Sequence, residues 1–189
     1  MEYTTNFDNV IHRASDILTE LGNNIERRLQ QFNTEVALNG AINRLSINVD
    51  AEVFFAEFLN ILFDWDLRIA NFAGHNEPGI DLVDDTHKVV VQVSSRSDRD
   101  KINNSLDKTD EKYKNAKYHF YFATTQLEHD PYVKSFDERK GGLDFKFETD
   151  VLDLKTLTAE AHDAGIDKVK ELSKLVDKYF KRAETKKNF

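Results

Sequence analysis

The spacing of apolar and polar residues predicts two helices in the first third of the chain. Apolar residues recur at intervals of three and four from Ile11 to Phe32, which predicts a long amphipathic helix over about residues 6–32. Residues 51–65 repeat the same spacing and predict a second, largely buried helix with Asp50 as its N-cap. Between them, the alternation of apolar residues at 45–49 predicts a connection with a short extended segment.

A β-hairpin is predicted next. Two runs rich in β-branched residues, 80–83 and 88–95, flank an acidic turn. The second run is a nearly continuous valine block, which is typical of a central strand buried on both faces. If the turn closes with Val83 opposite Lys88, Asp81 lies opposite Val90 and is a diagonal neighbour of Gln92 on the same face.

The rest of the chain predicts a further alternation of elements. After a short strand at 66–72 and the hairpin come a helix from the capping residues 95–98 to about 115, an aromatic strand at 118–123, an alternating strand at 143–147, and helices at 151–161 and 166–180. This order predicts an α/β domain in which a mixed central sheet is flanked by α-helices, with a long N-terminal helix.

Composition narrows the class of protein. The chain has 189 residues, 40% of them hydrophobic, and no cysteine, which predicts a single domain over residues 1–189 in a reducing compartment. Neither a signal peptide nor a membrane-spanning apolar run is recognisable, so we expect a cytoplasmic protein without a membrane partner. The Lys-rich end at 186–189 carries no terminus signal, so we also expect the chain to be the N-terminal part of a longer protein.

The net charge of −8 argues against a general nucleic-acid binder, although it allows a local basic groove. Ser95, Arg96, Arg99 and Lys101 collect where the helix after the hairpin begins. Hydroxyls, backbone N–H groups and cations at a helix start predict a phosphate cradle, and simple helix capping is the alternative.

One carboxylate stands out on the second predicted helix. Glu57 falls between Val53 and Ile61, inside the apolar arc, whereas Glu52 is predicted to face away. A carboxylate on a buried face requires a partner, a metal ion or a shifted pKa. The alternative is that Glu57 lies at the edge of the arc and reaches water or Arg68.

The order of these motifs resembles that of the PD-(D/E)XK nuclease superfamily. The resemblance is carried by Glu57 on a helix, by Pro78-Gly79-Ile80-Asp81, and by Gln92-Val93-Ser94 on the neighbouring strand. More narrowly, residues 7–121 resemble the SMEK-type domains of bacterial conflict-system proteins, which often precede signalling NTPases. The specificity of this resemblance lies in the spacing and order of short motifs.

The resemblance implies a restriction-endonuclease-like fold and an effector domain of antiphage defence. It assigns Glu57, Asp81 and Gln92 to a Mg²⁺ or Mn²⁺ ion that activates water for cleavage of nucleic acid, with DNA as the expected substrate. It also implies a homo-oligomer and a fused or separate signalling NTPase as partners.

The chain departs from the superfamily pattern at two positions. Gln92 replaces an acid, and Ser94 replaces the lysine that would supply positive charge, so Arg96 or Lys101 is the expected substitute. The alternative function is a catalytically inactive nuclease-fold module for nucleic-acid or protein recognition and assembly.

Overall fold

Helices and strands alternate along the chain. The computed structural model describes residues 2–40, 46–70, 77–129 and 142–186. Their elements are α1 (Glu2–Gly40), α2 (Ser46–Phe63), β1 (Arg68–Ile69), β2 (Leu82–Asp84), β3 (Val89–Ser94), α3 (Arg99–Lys108), α4 (Glu111–Asn115), β4 (His119–Thr124), α5 (Phe147–Asp150), β5 (Val151–Leu152), α6 (Leu154–Asp163) and α7 (Ile166–Lys186).

The strands form one mixed sheet with the order β1-β2-β3-β4-β5. The pairs β1–β2 and β2–β3 are antiparallel, whereas β3–β4 and β4–β5 are parallel. β3 is the central strand, as its valine block predicts. The expected mixed α/β class with a long N-terminal helix is therefore confirmed.

Each face of the sheet covers its own hydrophobic core. Val89 and Val91 point into the larger core, which α1, α2, α6 and α7 complete, and Val90 points into the smaller one with α3, α4 and α5. All three valines are at most 4% exposed. A strand covered on both faces needs no polar side, which explains its unbroken apolar sequence.

The first two helices are longer than the sequence predicts. α1 continues through Gly22 and on to Gly40, and Arg28 fastens it to α7 through a 3.0 Å ion pair with Asp177. α2 begins at Ser46, so the prediction of an N-cap at Asp50 and an extended segment before it is wrong. Within the described ranges, no helix combines the length and the apolarity needed to cross a membrane.

Three predictions in the second half of the chain need correction. The helix predicted at 151–161 begins only at Leu154, because Val151 and Leu152 form the strand β5. The single helix predicted to run to about residue 115 is divided into α3 and α4 at Thr109 and Asp110, where the Asp110 side chain caps α4. The strand predicted at 143–147 is wrong: Asp144 makes an isolated bridge to His119 and α5 begins at Phe147.

The hairpin turn has the four residues assumed from the sequence, but it lies one residue further along the chain, at 85–88 instead of 84–87. Asp84 pairs with Val89 and Leu82 with Val91, a register two residues away from the predicted one. Asp84 ends its strand because its Oδ1 accepts the backbone N–H groups of Thr86 (2.8 Å) and His87 (3.0 Å). A shift of two residues keeps every side chain on its predicted face.

Asp84 is expected to be a strong determinant of stability. Its side chain is 1% exposed, and its Oδ2 accepts the backbone N–H of Asp66 at 2.7 Å and lies 2.7 Å from His87 Nδ1. Burial opposes ionisation of Asp84, but the hydrogen bonds from Asp66, His87 and Thr86 outweigh it and lower its pKa to about 2.

Asp84→Ala should therefore reduce the free energy of unfolding at pH 7 by about 2–3 kcal/mol, because it leaves buried N–H groups without an acceptor. The ordinary pKa of the group is 3.8, so its contribution is complete above that pH and is lost as the pH falls through about 2. Urea unfolding at pH 7 and pH 3 measures both effects. The exposed Asp107→Ala is the control, and equal losses from the two variants would contradict this role.

Candidate functional site

Asp81 and Gln92 meet at the carboxyl end of β3. The register places Asp81 one step beyond the Leu82–Val91 pair, and its N–H donates to the Val91 carbonyl at 2.9 Å. Asp81 Oδ2 accepts the Val93 N–H at 2.8 Å and a short hydrogen bond from Gln92 Nε2. Gln92 Nε2 also donates to the Val93 carbonyl at 3.0 Å. The hairpin thus joins the two side chains that alternation along the strands assigned to one face.

The environment of Asp81 favours its protonated form more than water does. Burial raises the pKa of Asp81, and the Val93 N–H, the charge of Lys101 and the Gln92 amide lower it without cancelling the effect of burial. Lys101 lies in the first turn of α3, in the helical layer on the side of the smaller core. Asp81 is therefore a carboxylate with incomplete compensation of its negative charge.

The charge of Asp81 affects one glutamate on α2, Glu52, although α2 packs on the face of the sheet opposite to the one that carries Val90 and Gln92. Burial raises the pKa of Glu52 to about 7, and the negative charge of Asp81 adds to the shift. A carboxylate whose ionisation is disfavoured by burial and by a nearby negative charge is common at functional sites, where a cation or a proton can compensate for it. The sequence pattern directed Glu52 away from the buried side of its helix, whereas the structure partly buries it.

Glu57 points in another direction. Its Oε2 accepts a 3.3 Å hydrogen bond from Lys178 Nζ of α7, and its side chain is 39% exposed. Glu52 and Glu57 are five residues apart, which is about 140° around a helix of 3.6 residues per turn. The structure therefore joins Asp81 and Gln92 and directs the predicted third ligand, Glu57, toward α7.

The hydrophobic pattern of α2 does not show which of the two glutamates is more buried, because α2 is apolar on nearly all sides. Phe54 and Phe58 are fully buried, and so are Phe55 and Leu59 on another side of the helix. The position of Glu57 between Val53 and Ile61 therefore predicts no deeper burial than the position of Glu52 beside Phe55 and Leu59. The signal that could have identified Glu52 is its spacing of three and seven residues from the latter pair.

The residues predicted to bind nucleic acid lie around the start of α3. The Ser94 hydroxyl oxygen accepts the Arg96 N–H at 3.1 Å, and Arg96 Nε donates to Asp98, the N-cap of α3, at 2.8 Å. Ser95 and Arg99 are exposed. Of these residues, Lys101 is the one whose positive charge lowers the pKa of Asp81.

The donor set suits a hard divalent cation with water completing its shell. Glu52 and Asp81 supply two carboxylates, and a half-turn of the Gln92 amide would present Oε1 where Nε2 now donates. The described residues contain no cluster of three His, Cys, Asp or Glu side chains, so a third protein ligand would have to be this neutral oxygen. Mg²⁺ commonly retains several waters and binds through one or two carboxylates.

Comparison with known proteins identifies a family. The model of the SMEK domain matches residues 24–162, more than half of the chain, and spans the whole sheet together with Glu52, Asp81 and Gln92. No curated protein and no solved structure matches the chain. On the family match, the chain belongs to the SMEK domain family.

Proposed function

We propose that this domain is a metal-dependent nuclease with a restriction-endonuclease-like fold, and that it cleaves nucleic acid, with DNA as the first substrate to test. It would be the effector domain of a cytoplasmic antiphage defence protein in bacteria. The order of α2, the β1–β3 meander, α3 and β4 supports the resemblance to the PD-(D/E)XK superfamily.

The observation that carries the proposal is the convergence of Asp81 and Gln92 at the end of β3, where Asp81 Oδ2 accepts hydrogen bonds from the Gln92 amide and the Val93 N–H. The pKa of Asp81 and that of Glu52 are both raised, and burial is the largest cause for each. Partly buried carboxylates with raised pKa values cost stability when they are ionised, and a bound cation would offset that cost. The end of a central strand, between two helical layers, is also where a substrate can approach the sheet.

Each residue has a distinct role in this proposal. Glu52, Asp81 and the Gln92 amide oxygen would hold Mg²⁺ or Mn²⁺, with the Val93 N–H keeping Asp81 oriented through its 2.8 Å hydrogen bond. The bound ion would supply a Lewis acid that lowers the pKa of a water molecule and balances the charge of the phosphate. Lys101 would supply the positive charge that Ser94 cannot provide.

Lys101→Gln is expected to lower the cleavage rate about 10–100-fold, because a charge that stabilises the transition state is lost. Lys101→Arg should restore part of the rate. The matched control is Lys108→Gln in the last turn of the same helix, where the side chain is exposed. Rates on a labelled substrate measure all three variants, and equal rates for Lys101→Gln and Lys108→Gln would remove Lys101 from the mechanism.

A catalytically inactive module for recognition or assembly is the second candidate. It is favoured by the hydrogen bonds that already satisfy the site: the Gln92 amide donates to Asp81, and the Ser94 hydroxyl accepts the Arg96 N–H. Such a module would bind nucleic acid or protein without turnover. Self-association and a fused or separate signalling NTPase are partners that this proposal shares with the first.

The deciding experiment incubates the protein with plasmid, linear duplex and single-stranded DNA and RNA, each in Mg²⁺, Mn²⁺ or EDTA. The nuclease proposal expects cleavage in at least one metal, none in EDTA, and a reduction of at least about 100-fold in Asp81→Ala. Equal cleavage by wild type and Asp81→Ala indicates a contaminating nuclease. Binding without cleavage in every metal supports the second candidate instead.

A further inference from the structure

A second concave surface lies at the β1 edge of the sheet, on the side of α3 and α4. It is a cavity of about 330 Å³ whose charged and aromatic lining consists of Arg68, Glu77, Asp85, Lys112, Tyr113 and Tyr118. Neither Glu52 nor Asp81 lines it, so it is separate from the site described above. Its volume is at the lower end of the range of small-molecule sites, about 300–1,000 Å³.

The charged part of the lining consists of two ion pairs. Arg68 Nη2 lies 2.5 Å from Asp85 Oδ2, and the Tyr118 hydroxyl donates to Asp85 Oδ1 at 2.8 Å. Lys112 Nζ lies 2.5 Å from Glu77 Oε1. The Arg68 and Tyr118 hydrogen bonds lower the pKa of Asp85, which keeps this carboxylate ionised. Among the described residues, the lining therefore presents two positive and two negative side chains, whose charges balance.

The two tyrosines form an aromatic wall. The rings of Tyr113 and Tyr118 pack edge to face with centroids 5.1 Å apart, and the Lys112 ammonium lies 4.7 Å from the centroid of the Tyr113 ring. Tyr113 is buried in the smaller core, which fixes the position of this wall. The cavity thus offers a rigid apolar surface between polar groups, as small-molecule sites commonly do.

We propose that this cavity binds a small zwitterion, a free α-amino acid with an uncharged side chain. The carboxylate would bind the Arg68 guanidinium, whose five N–H donors exceed what the Asp85 contact requires. The ammonium group would bind the carboxylate of Glu77, and the side chain would lie against Tyr113 and Tyr118.

Charge balance selects a zwitterion over other ligands of this size. An anion would meet Glu77 and Asp85, and a cation would meet Arg68 and Lys112, so either would face repulsion from half of the lining. A zwitterion can place each of its charges against the opposite one. The Arg68 and Asp85 side chains are 61% and 58% exposed, so their ion pair contributes little and can rearrange around a ligand.

The test is an NMR titration of the ¹⁵N-labelled full chain with L-alanine, L-leucine, L-phenylalanine and L-glutamine at millimolar concentration. We expect saturable shifts of amide signals around the cavity for at least one of them. The N-acetylated, carboxyl-amidated form of the same amino acid has the same side chain and no charges, and it should give no shifts. Succinate and putrescine, a dianion and a dication, should give none either.

Arg68→Gln should raise the Kd at least about 10-fold, whereas the same substitution at the exposed Arg13 of α1 should leave it unchanged. If circular dichroism shows that Arg68→Gln does not fold, Glu77→Gln replaces it with the same expected loss. The proposal is overturned if none of the four amino acids gives saturable shifts, if the blocked form binds equally well, or if Arg68→Gln binds like wild type. It is independent of the nuclease proposal, since no cleavage assay enters it.

Discussion

Glu52→Gln abolishes cleavage and stabilises the protein at alkaline pH, if the proposed site is correct. Glutamine keeps the size of the side chain and removes the charge that would bind the cation, so we expect a loss of at least about 100-fold in cleavage rate. Glu57→Gln is the matched control. Its carboxylate binds Lys178 at a largely exposed ion pair, so that variant should retain wild-type activity.

The stability effect follows from the pKa of Glu52. Its value in the folded protein is about 7, above the ordinary 4.5, because burial and Asp81 disfavour the charged form. The folded state therefore loses stability as the pH rises from 4.5 through about 7. Glutamine removes this loss, which should raise the Tm at pH 8 by ~2 °C after allowance for solvent screening, with little change at pH 4.

The measurements are cleavage rates in Mg²⁺ and Mn²⁺ and thermal unfolding at both pH values. A residue that is needed for activity but lowers the stability of the folded protein should give an inactive and more stable variant when it is replaced. Loss of activity in Glu57→Gln with retention in Glu52→Gln would return the metal site to the original sequence-based assignment and refute the present one.

Gly79→Ala is expected to reduce the free energy of unfolding by at least ~3 kcal/mol. Gly79 has a φ of +85°, and Ile80 N–H donates to the Glu77 carbonyl at 3.4 Å, which is a type II turn with Pro78 and Gly79 at its centre. A side chain at a positive φ is strained. In addition, a Cβ would press on the Ser105 carbonyl oxygen and lie 2.8 Å from the Thr109 nitrogen.

These contacts place Gly79 against the end of α3. The Ser105 carbonyl accepts both the N–H and the hydroxyl of Thr109, at 3.1 and 2.8 Å, so the new methyl group would have to displace a hydrogen-bonded helix terminus. Urea unfolding measures the change. Gly165→Ala is the control, because nothing lies within 4 Å of its Cβ position, and it should be close to neutral. Equal stabilities of the two variants would contradict this account.

The sequence predicted the Asp81–Gln92 contact although it predicted the wrong register. Alternation along a strand depends on parity alone, so an error of two residues left both side chains on the expected face. The true register depends on the hydrogen bonds of Asp84, which the sequence does not distinguish from those of any other turn aspartate.

The segment at 143–147 shows which part of a pattern is informative. Leu143, Phe145 and Phe147 are buried at 5%, 2% and 6% exposure, and the residues between them are exposed, as alternation predicts. A strand also needs a neighbour that forms a ladder, and here the partner is a single bridge from His119. Periodicity reports burial, whereas hydrogen bonding depends on the rest of the fold.

The partly buried position of Glu52 could not be predicted for a related reason. Amphipathic periodicity locates a buried face only when the opposite face is polar, and α2 is buried on several sides. The choice between Glu52 and Glu57 depends on where β2 begins relative to α2, which is a property of the tertiary structure.

The hairpin turn at Asp85–Lys88 sets the chemistry of a site at the other end of its strands. A slip of β2 against β3 by one residue would carry Gln92 to the opposite face and leave Asp81 facing a valine. A slip of two residues would keep the two side chains on one face. Among relatives of this domain, the turn can therefore vary in length wherever the strands keep this parity of pairing.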